Sequence, residues 1–160
     1  MKKLKVGVIG VGGRGRGNVR TILNCQETDV VAICDLYQDR REKAGEIVTE
    51  KRGNVPALYE NYMDLINDPE VECVVICSSW DEHTRMAVAS MKAGKPVGVE
   101  VAGAYDLEKS GMRLEYRIMI LEHRAPQTHE GDFERWSMVF GVHFFTISVI
   151  AERNWATSVN

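Results

Sequence analysis

Apolar residues in this chain fall into short unbroken runs, separated by longer stretches in which they recur every three or four positions. The first run, Leu4 to Ile9 (LKVGVI), is almost continuously apolar, as expected of a parallel strand covered on both faces. Val19, Ile22 and Leu23 then recur at helical spacing between Gly15 and Cys25, so a glycine-rich turn opens a helix there. Val30 to Cys34 (VVAIC) predicts a second buried strand ending on Asp35. Arg40 to Lys51 predicts an exposed, charged helix with Ala44, Ile47 and Val48 turned inward. Ala57 to Tyr59 predicts a short third strand, and Tyr62 to Ile66 a short helix closed by Asn67-Asp68-Pro69.

Cys73 to Cys77 (CVVIC) is the most clearly buried strand, and it runs out into Ser78-Ser79-Trp80. Glu82 to Ala93 predicts a helix stopped by Gly94, with Pro96 just beyond. Val97 to Val101 (VGVEV) predicts a fifth strand. Strand and helix alternate for about a hundred residues, and right-handed crossovers would assemble them into an α/β, doubly wound parallel sheet of Rossmann type. After Asp106 the pattern loosens into a short irregular C-terminal extension. Leu114 to Leu121 and Val139 to Ile150 are strand-like, Glu122 to Trp136 has no sustained period, and Arg153 to Asn160 looks frayed. The expected division is a nucleotide-binding domain over residues 1–109 and an extension over 110–160 with one or two extra strands.

Composition narrows the function classes. The chain has 160 residues, 44% hydrophobic and 27% charged, which is ordinary for one globular core. A net charge of -3 gives no electrostatic reason for nucleic acid or an anionic membrane as partner, so a small molecule is expected. The N-terminal basic and apolar residues run into Arg14 and Arg16 without a cleavage site, and Trp136 to Ala151 is too short to span a bilayer. A cytoplasmic location follows as the default. Cys25, Cys34, Cys73 and Cys77 include no Cys-x-x-Cys pair and read as core residues, with no metal site expected. An exposed sheet edge would allow a homo-oligomer.

The loop Gly10-Val11-Gly12-Gly13-Arg14-Gly15 carries the chemistry. A Gly-x-Gly-x-x-Gly match alone is weak, but this one follows a buried strand and opens a helix, with Asp35 twenty residues beyond Gly15 at the tip of the second strand. Gly10 would permit the tight turn, Gly12 the approach of a pyrophosphate, and Gly15 close packing of helix and strand. The phosphates would meet free N–H groups at the helix N-terminus. Asp35 would accept hydrogen bonds from the adenosine ribose and repel a 2′-phosphate, favouring NAD over NADP; otherwise it is a solvated strand-end residue. Arg14 could contact the pyrophosphate. Arg40 and Arg41 read as surface charges that could also reach the adenine side, leaving room for NADP. Ser78, Ser79, Trp80, Asp81 and Glu100 lie at the carboxyl ends of the fourth and fifth strands, where open parallel sheets bind ligands. His83, taken by itself, is an ordinary helix-end residue.

The stretches VGVIGVGGRGRGN, VVAICD and YMDLINDPEVECVVICSSWDEHTRMAVASMKAGKPVGVEV resemble the glucose-fructose oxidoreductase, inositol dehydrogenase and rhizopine-catabolism (Gfo/Idh/MocA) family of NAD(P)-dependent oxidoreductases, from Leu4 to Lys109. GVGGRGRG is similar to the sugar-directed branch that includes the NAD-dependent glycoside hydrolase family 109. The resemblance implies that Gly10, Gly12, Gly13, Arg14 and Gly15 hold the pyrophosphate and Asp35 the ribose. It also implies that Ser78, Ser79 and His83 border the nicotinamide half and that Glu100 lies under the nicotinamide. Where the family commonly has Glu-Lys-Pro at the fifth strand, this chain has Glu100-Val101-Ala102, lacking the lysine that orients substrate and shuttles a proton.

Family members continue into a large second α/β domain, whereas about fifty residues follow Lys109 here. The expectation is therefore a truncated or frame-shifted form of an NAD(P)-binding oxidoreductase acting on a sugar or polyol. Two alternatives stay open: a non-catalytic NAD-binding module, and a glycosidase-like enzyme in which NAD transiently oxidises the sugar.

Overall fold

The computed structural model describes residues 2–100 and the short segment 145–147. Strands β1 (Leu4–Ile9), β2 (Thr28–Cys34), β3 (Ala57–Tyr59), β4 (Cys73–Ile76) and β5 (Val97–Val99) alternate with helices α1 (Gly13–Asn24), α2 (Gln38–Arg52), α3 (Tyr62–Asn67) and α4 (Trp80–Lys92). The strands stand in the order β3-β2-β1-β4-β5, all parallel, and β6 (Phe145–Ile147) adds an antiparallel strand beside β5. This is the doubly wound α/β sheet that the alternation of patterns predicts. The order reverses between β1 and β4, which places a crevice at the carboxyl ends of those two strands.

Both faces of the sheet are covered, which is why its strands carry continuous rather than alternating apolar runs. On one face Val6, Val8, Val30, Ile33, Cys73 and Val75 pack against Val19, Ile22 and Leu23 of α1 and Ala44 and Val48 of α2. On the other, Ile9, Ala32, Cys34, Val74, Ile76, Val97 and Val99 pack against Leu65 and Ile66 of α3 and Ala87, Val88 and Met91 of α4. Successive β4 residues thus serve opposite layers. In β2 that alternation is interrupted: Val6 pairs with Val30 but Gly7 with Ala32, so Val31 is an extra residue. This bulge carries Val30 and Ile33 to the same face although they are three positions apart.

Differences from the sequence expectations are confined to ends. Helix α1 starts at Gly13 rather than Gly15 and α4 at Trp80 rather than Glu82, because both glycine and serine caps allow the first turn to begin inside the loop. Strand β4 stops at Ile76, and β5 at Val99. Gly94 takes φ 74° and its N–H bonds the Met91 carbonyl at 2.9 Å, closing α4 as its position predicts. The expected strand at Leu114 to Leu121, most of Val139 to Ile150, the 109/110 boundary and the frayed end lie outside the described residues. No helix among the described residues is long and apolar enough to cross a membrane.

Gly7 has a packing role that the sequence did not reveal. A Cβ there would stand 2.7 Å from Leu65 Cδ2 and 3.0 Å from Val71 Cγ1, so α3 lies directly on the β1 backbone. Gly7→Val is expected to lower the unfolding free energy by about 1–3 kcal/mol through overpacking. Gly98→Ala, whose Cβ would meet, among the described side chains, only Val75 Cγ2 at 4.0 Å, should stay within about 0.5 kcal/mol of the parent. Urea unfolding of the two variants checks the contrast.

Candidate functional site

Four strands end in register along one edge, each tied to its neighbour by one further backbone hydrogen bond. Asp35 N–H donates to Tyr59 O (3.2 Å), Gly10 N–H to Cys34 O (2.8 Å), Cys77 N–H to Ile9 O (2.7 Å) and Glu100 N–H to Ile76 O (2.9 Å). The fold therefore delivers Asp35, the glycine loop, Ser78-Ser79 and Glu100 to one carboxyl-end crevice. From Asp35 past β2 to Glu100 past β5 is three inter-strand steps, about 14 Å. The predicted site residues stand on the turns that leave these strands, with His83 one turn into the helix that follows Ser79.

The glycine loop is held by close backbone contact. Gly10 has φ 84°, and a Cβ on it would lie 2.6 Å from Ser78 N. A Cβ on Gly15 would lie 1.9 Å from the Gly10 carbonyl oxygen, so α1 packs onto the turn itself rather than onto the body of β1. This relocates the role expected for Gly15. Among the described residues, Gly13 has nothing within 4 Å of its would-be Cβ and Gly12 only Arg40 Nη1 at 3.8 Å, which leaves the first turn of α1 uncovered by them. That turn has no side-chain cap and no acidic residue, whereas α2, α3 and α4 each carry one or two acids there. The first N–H groups of a helix have no intrahelical acceptor. An uncapped N-terminus flanked by Arg14 suits a diphosphate.

Asp35 is 8% exposed and is already bound on both carboxylate oxygens. Oδ2 accepts from Val11 N–H at 2.8 Å and Oδ1 from Tyr37 N–H at 3.1 Å. It is thus a structural tie between β2 and the glycine loop, and its remaining lone pairs are those free for a ribose. The solvated strand-end alternative does not describe it. Arg40 stacks 4.3 Å above the Tyr37 ring and stands 3.9 Å from Asp35 Oδ1, over the crevice. Arg41 instead turns inward, donating to Asp35 O at 2.6 Å and Leu36 O at 3.2 Å.

At the opposite end Glu100 meets the loop. Arg14 donates through Nη2 to Glu100 Oε1 (3.2 Å) and through Nε to Oε2 (3.4 Å), and this carboxylate raises the Arg14 pKa. Asn18 Nδ2, one turn further along α1, donates to Glu100 Oε2 at 2.5 Å and to Cys77 Sγ at 3.1 Å. Sequence reasoning missed Asn18; its only signal was its place in the first turns after the glycine motif. Ser78 is half-buried and Ser79 exposed. His83 is completely buried, with Nε2 2.9 Å from Ser78 O; a carbonyl only accepts, so Nε2 carries the proton. Through this bond it ties α4 to the Ser78-Ser79 turn.

The cysteines sit in or beside the core as their sequence context predicts. Burial pushes the Cys77 thiol up to about 11 and the Cys34 thiol to about 12, and raises Cys73 well above the ordinary value. Among the described residues no group of three or more His, Cys, Asp or Glu side chains could hold a metal ion.

The sheet order, glycine turn and terminal acid together define a dinucleotide-binding Rossmann domain. The profile of the oxidoreductase family with NAD-binding Rossmann fold (GFO_IDH_MocA) matches residues 4–101, and the chain belongs to that family. It is 37% identical over 111 residues to an alpha-N-acetylgalactosaminidase of Tannerella forsythia, covering 66% of this chain and 24% of that protein. It is 31% identical over 133 residues to an inositol 2-dehydrogenase/D-chiro-inositol 3-dehydrogenase of Lactiplantibacillus plantarum, covering 77% and 37%. The crystal structure of myo-inositol 2-dehydrogenase from Lactobacillus plantarum superposes with a TM-score of 0.67 at 25% identity, over 74% of this chain and 34% of that one. The chain thus spans about a quarter to a third of the length of these relatives.

The raised thiol values fix a sign for alkaline behaviour. A thiol whose folded pKa lies above its ordinary 9.0 is bound to its proton more tightly in the folded state, so its contribution is complete below pH 9. Between pH 9 and about 11 to 12 that contribution is lost. Unfolding free energy is expected to fall over this window, and Cys77→Ala and Cys34→Ala each to flatten the fall. Urea titrations at stepped pH measure the slopes; a slope unchanged by either substitution would count against burial as its cause.

Proposed function

We propose that this chain binds NAD across the β1/β4 crevice and serves hydride transfer to or from a sugar or polyol. The observation that carries the proposal is the uncapped N-terminus of α1, uncovered by the described residues at Gly12 and Gly13 and flanked by the buried carboxylate of Asp35. The N–H groups of Gly13, Arg14 and Gly15 bind the pyrophosphate, and Asp35 takes the adenosine ribose while its charge disfavours a 2′-phosphate. Ser78, Ser79 and Glu100 border the nicotinamide, and His83 acts one step removed by fixing the Ser78 carbonyl. NAD, when bound, supplies the hydride acceptor, and the protein supplies orientation and electrostatics. The unit that does this is residues 1–109, with 110–160 as an extension.

The glycosidase-like reading is favoured by two observations: the alpha-N-acetylgalactosaminidase relative, and Val101 in place of the lysine of the family's Glu-Lys-Pro motif. Both readings require the same cofactor site and the same oxidation of a sugar carbon. They diverge in the fate of the hydride, which departs as NADH in the dehydrogenase reading and returns to the sugar after elimination of the aglycone in the glycosidase-like one.

Calorimetric titration is expected to give about tenfold or greater preference for NAD over NADP, one like-charge contact in a partly buried site. Asp35→Ser should weaken NAD and narrow that ratio toward unity, because the lost carboxylate both held the ribose and repelled the phosphate. Absorbance at the NADH maximum, followed with a panel of sugars and polyols, tests turnover. Binding without reduction or glycoside cleavage would replace the catalytic reading with that of an NAD-binding module.

A further inference from the structure

Arg14 belongs to two parts of the crevice at once. Its backbone N–H lies in the first turn of α1, where the pyrophosphate is placed, and its guanidinium is forked on Glu100 at the far end of the site. The two partners are unequal. The Arg14 side chain is 72% exposed and that of Glu100 13%. Glu100 also has a second anchor in Asn18, at 2.5 Å, which comes from the same helix but one turn deeper. An ion pair with so exposed a guanidinium is weak, and a diphosphate at the helix N-terminus offers Arg14 more negative charge and more acceptor oxygens than one carboxylate does.

We propose that Arg14 exchanges partners on cofactor binding, forking onto Glu100 in the free chain and turning to the pyrophosphate in the complex. Glu100, retained by Asn18, is then released from the Arg14 guanidinium. The adenosine half is fixed over β2 by Asp35, so the other half of the dinucleotide lies over β4 and β5, where Glu100 ends the row. A negative charge there favours the oxidised nicotinamide, which is cationic, over the neutral reduced ring. Arg14 thereby couples occupancy of the phosphate site to preference for the oxidised cofactor. This inference rests on the NAD reading above.

The two halves of the coupling separate experimentally. ADP-ribose carries the pyrophosphate without the nicotinamide, so its affinity reports only the competition for Arg14. Glu100→Gln preserves the bond to Asn18 but removes the charge that competes for Arg14. It is expected to tighten ADP-ribose about two- to fivefold, the range a surface ion pair supports, although Glu100 is not a phosphate ligand. The same substitution should lower the ratio of NAD to NADH affinity several-fold. In the Arg14→Gln background, which binds ADP-ribose more weakly, Glu100→Gln should leave ADP-ribose unchanged. Calorimetry on the full chain and its three variants, with thermal unfolding to establish that each is folded, gives all four arms. Wild-type binding of ADP-ribose with no tightening in Glu100→Gln, or with equal tightening in both backgrounds, would overturn the exchange and leave the NAD reading standing. No binding of ADP-ribose or NAD by the folded wild type would overturn both.

Discussion

The contact between the Gly10 carbonyl and Gly15 is the constraint on which the rest of the crevice depends. With no side chain at either position, the chain reverses from β1 into α1 within three intervening residues and brings the helix axis down onto the strand end. Any Cβ at Gly15 would overlap the Gly10 oxygen, and any at Gly10 would overlap the Ser78 backbone. The turn is therefore wedged between α1 on one side and the β4 exit loop on the other. It sets the height of the α1 N-terminus above the sheet, and with it the distance from that N-terminus to every other group in the crevice.

Two charged ties then hold this turn laterally. Asp35 secures Val11 from the β2 side, and Glu100, through Arg14 and Asn18, secures the first turns of α1 from the β5 side. The loop is strung between a buried carboxylate with backbone partners and a half-buried one with side-chain partners. The first tie is rigid, since its carboxylate is buried and both of its donors are backbone N–H groups, Val11 in the glycine turn and Tyr37 at the N-cap of α2. The second can yield, because the guanidinium is mostly in water. The β2 and β5 ends of the crevice accordingly differ in stiffness, which suits the proposed site, where one half of the ligand anchors and the other reacts.

Much of this was legible in the chain itself. The continuous apolar runs of β1, β2 and β4 announced strands covered on both faces, and the recurrence of Val19, Ile22 and Leu23 announced the helix that follows the glycines. Gly94 and Asp35 were legible for local reasons, one a helix stop and the other a strand tip. The β2 bulge was not, since a run of valine and isoleucine looks the same whether or not one residue is extra. His83 is assigned to the border of the crevice by resemblance; that its ring is enclosed one turn into α4 with Nε2 on the Ser78 carbonyl was not legible in the chain. Asn18 and Gly7 carried no pattern that would single them out.

The sequence by itself determined the strand and helix alternation, the position of the cofactor loop and the acid twenty residues beyond it, because each of these is written in spacings shorter than one βαβ unit. Only the tertiary structure decided which side chains share the crevice. Arg14 and Glu100 are 86 positions apart and meet because β5 lies two strands from β1 in the sheet order. Likewise the glycine loop, which the sequence marks as a place for phosphate, proved to be a wedge as well: whether Gly15 spares room for a strand or for the turn's own carbonyl depends on how α1 leans, and that is fixed by packing on both faces of the sheet rather than by the motif.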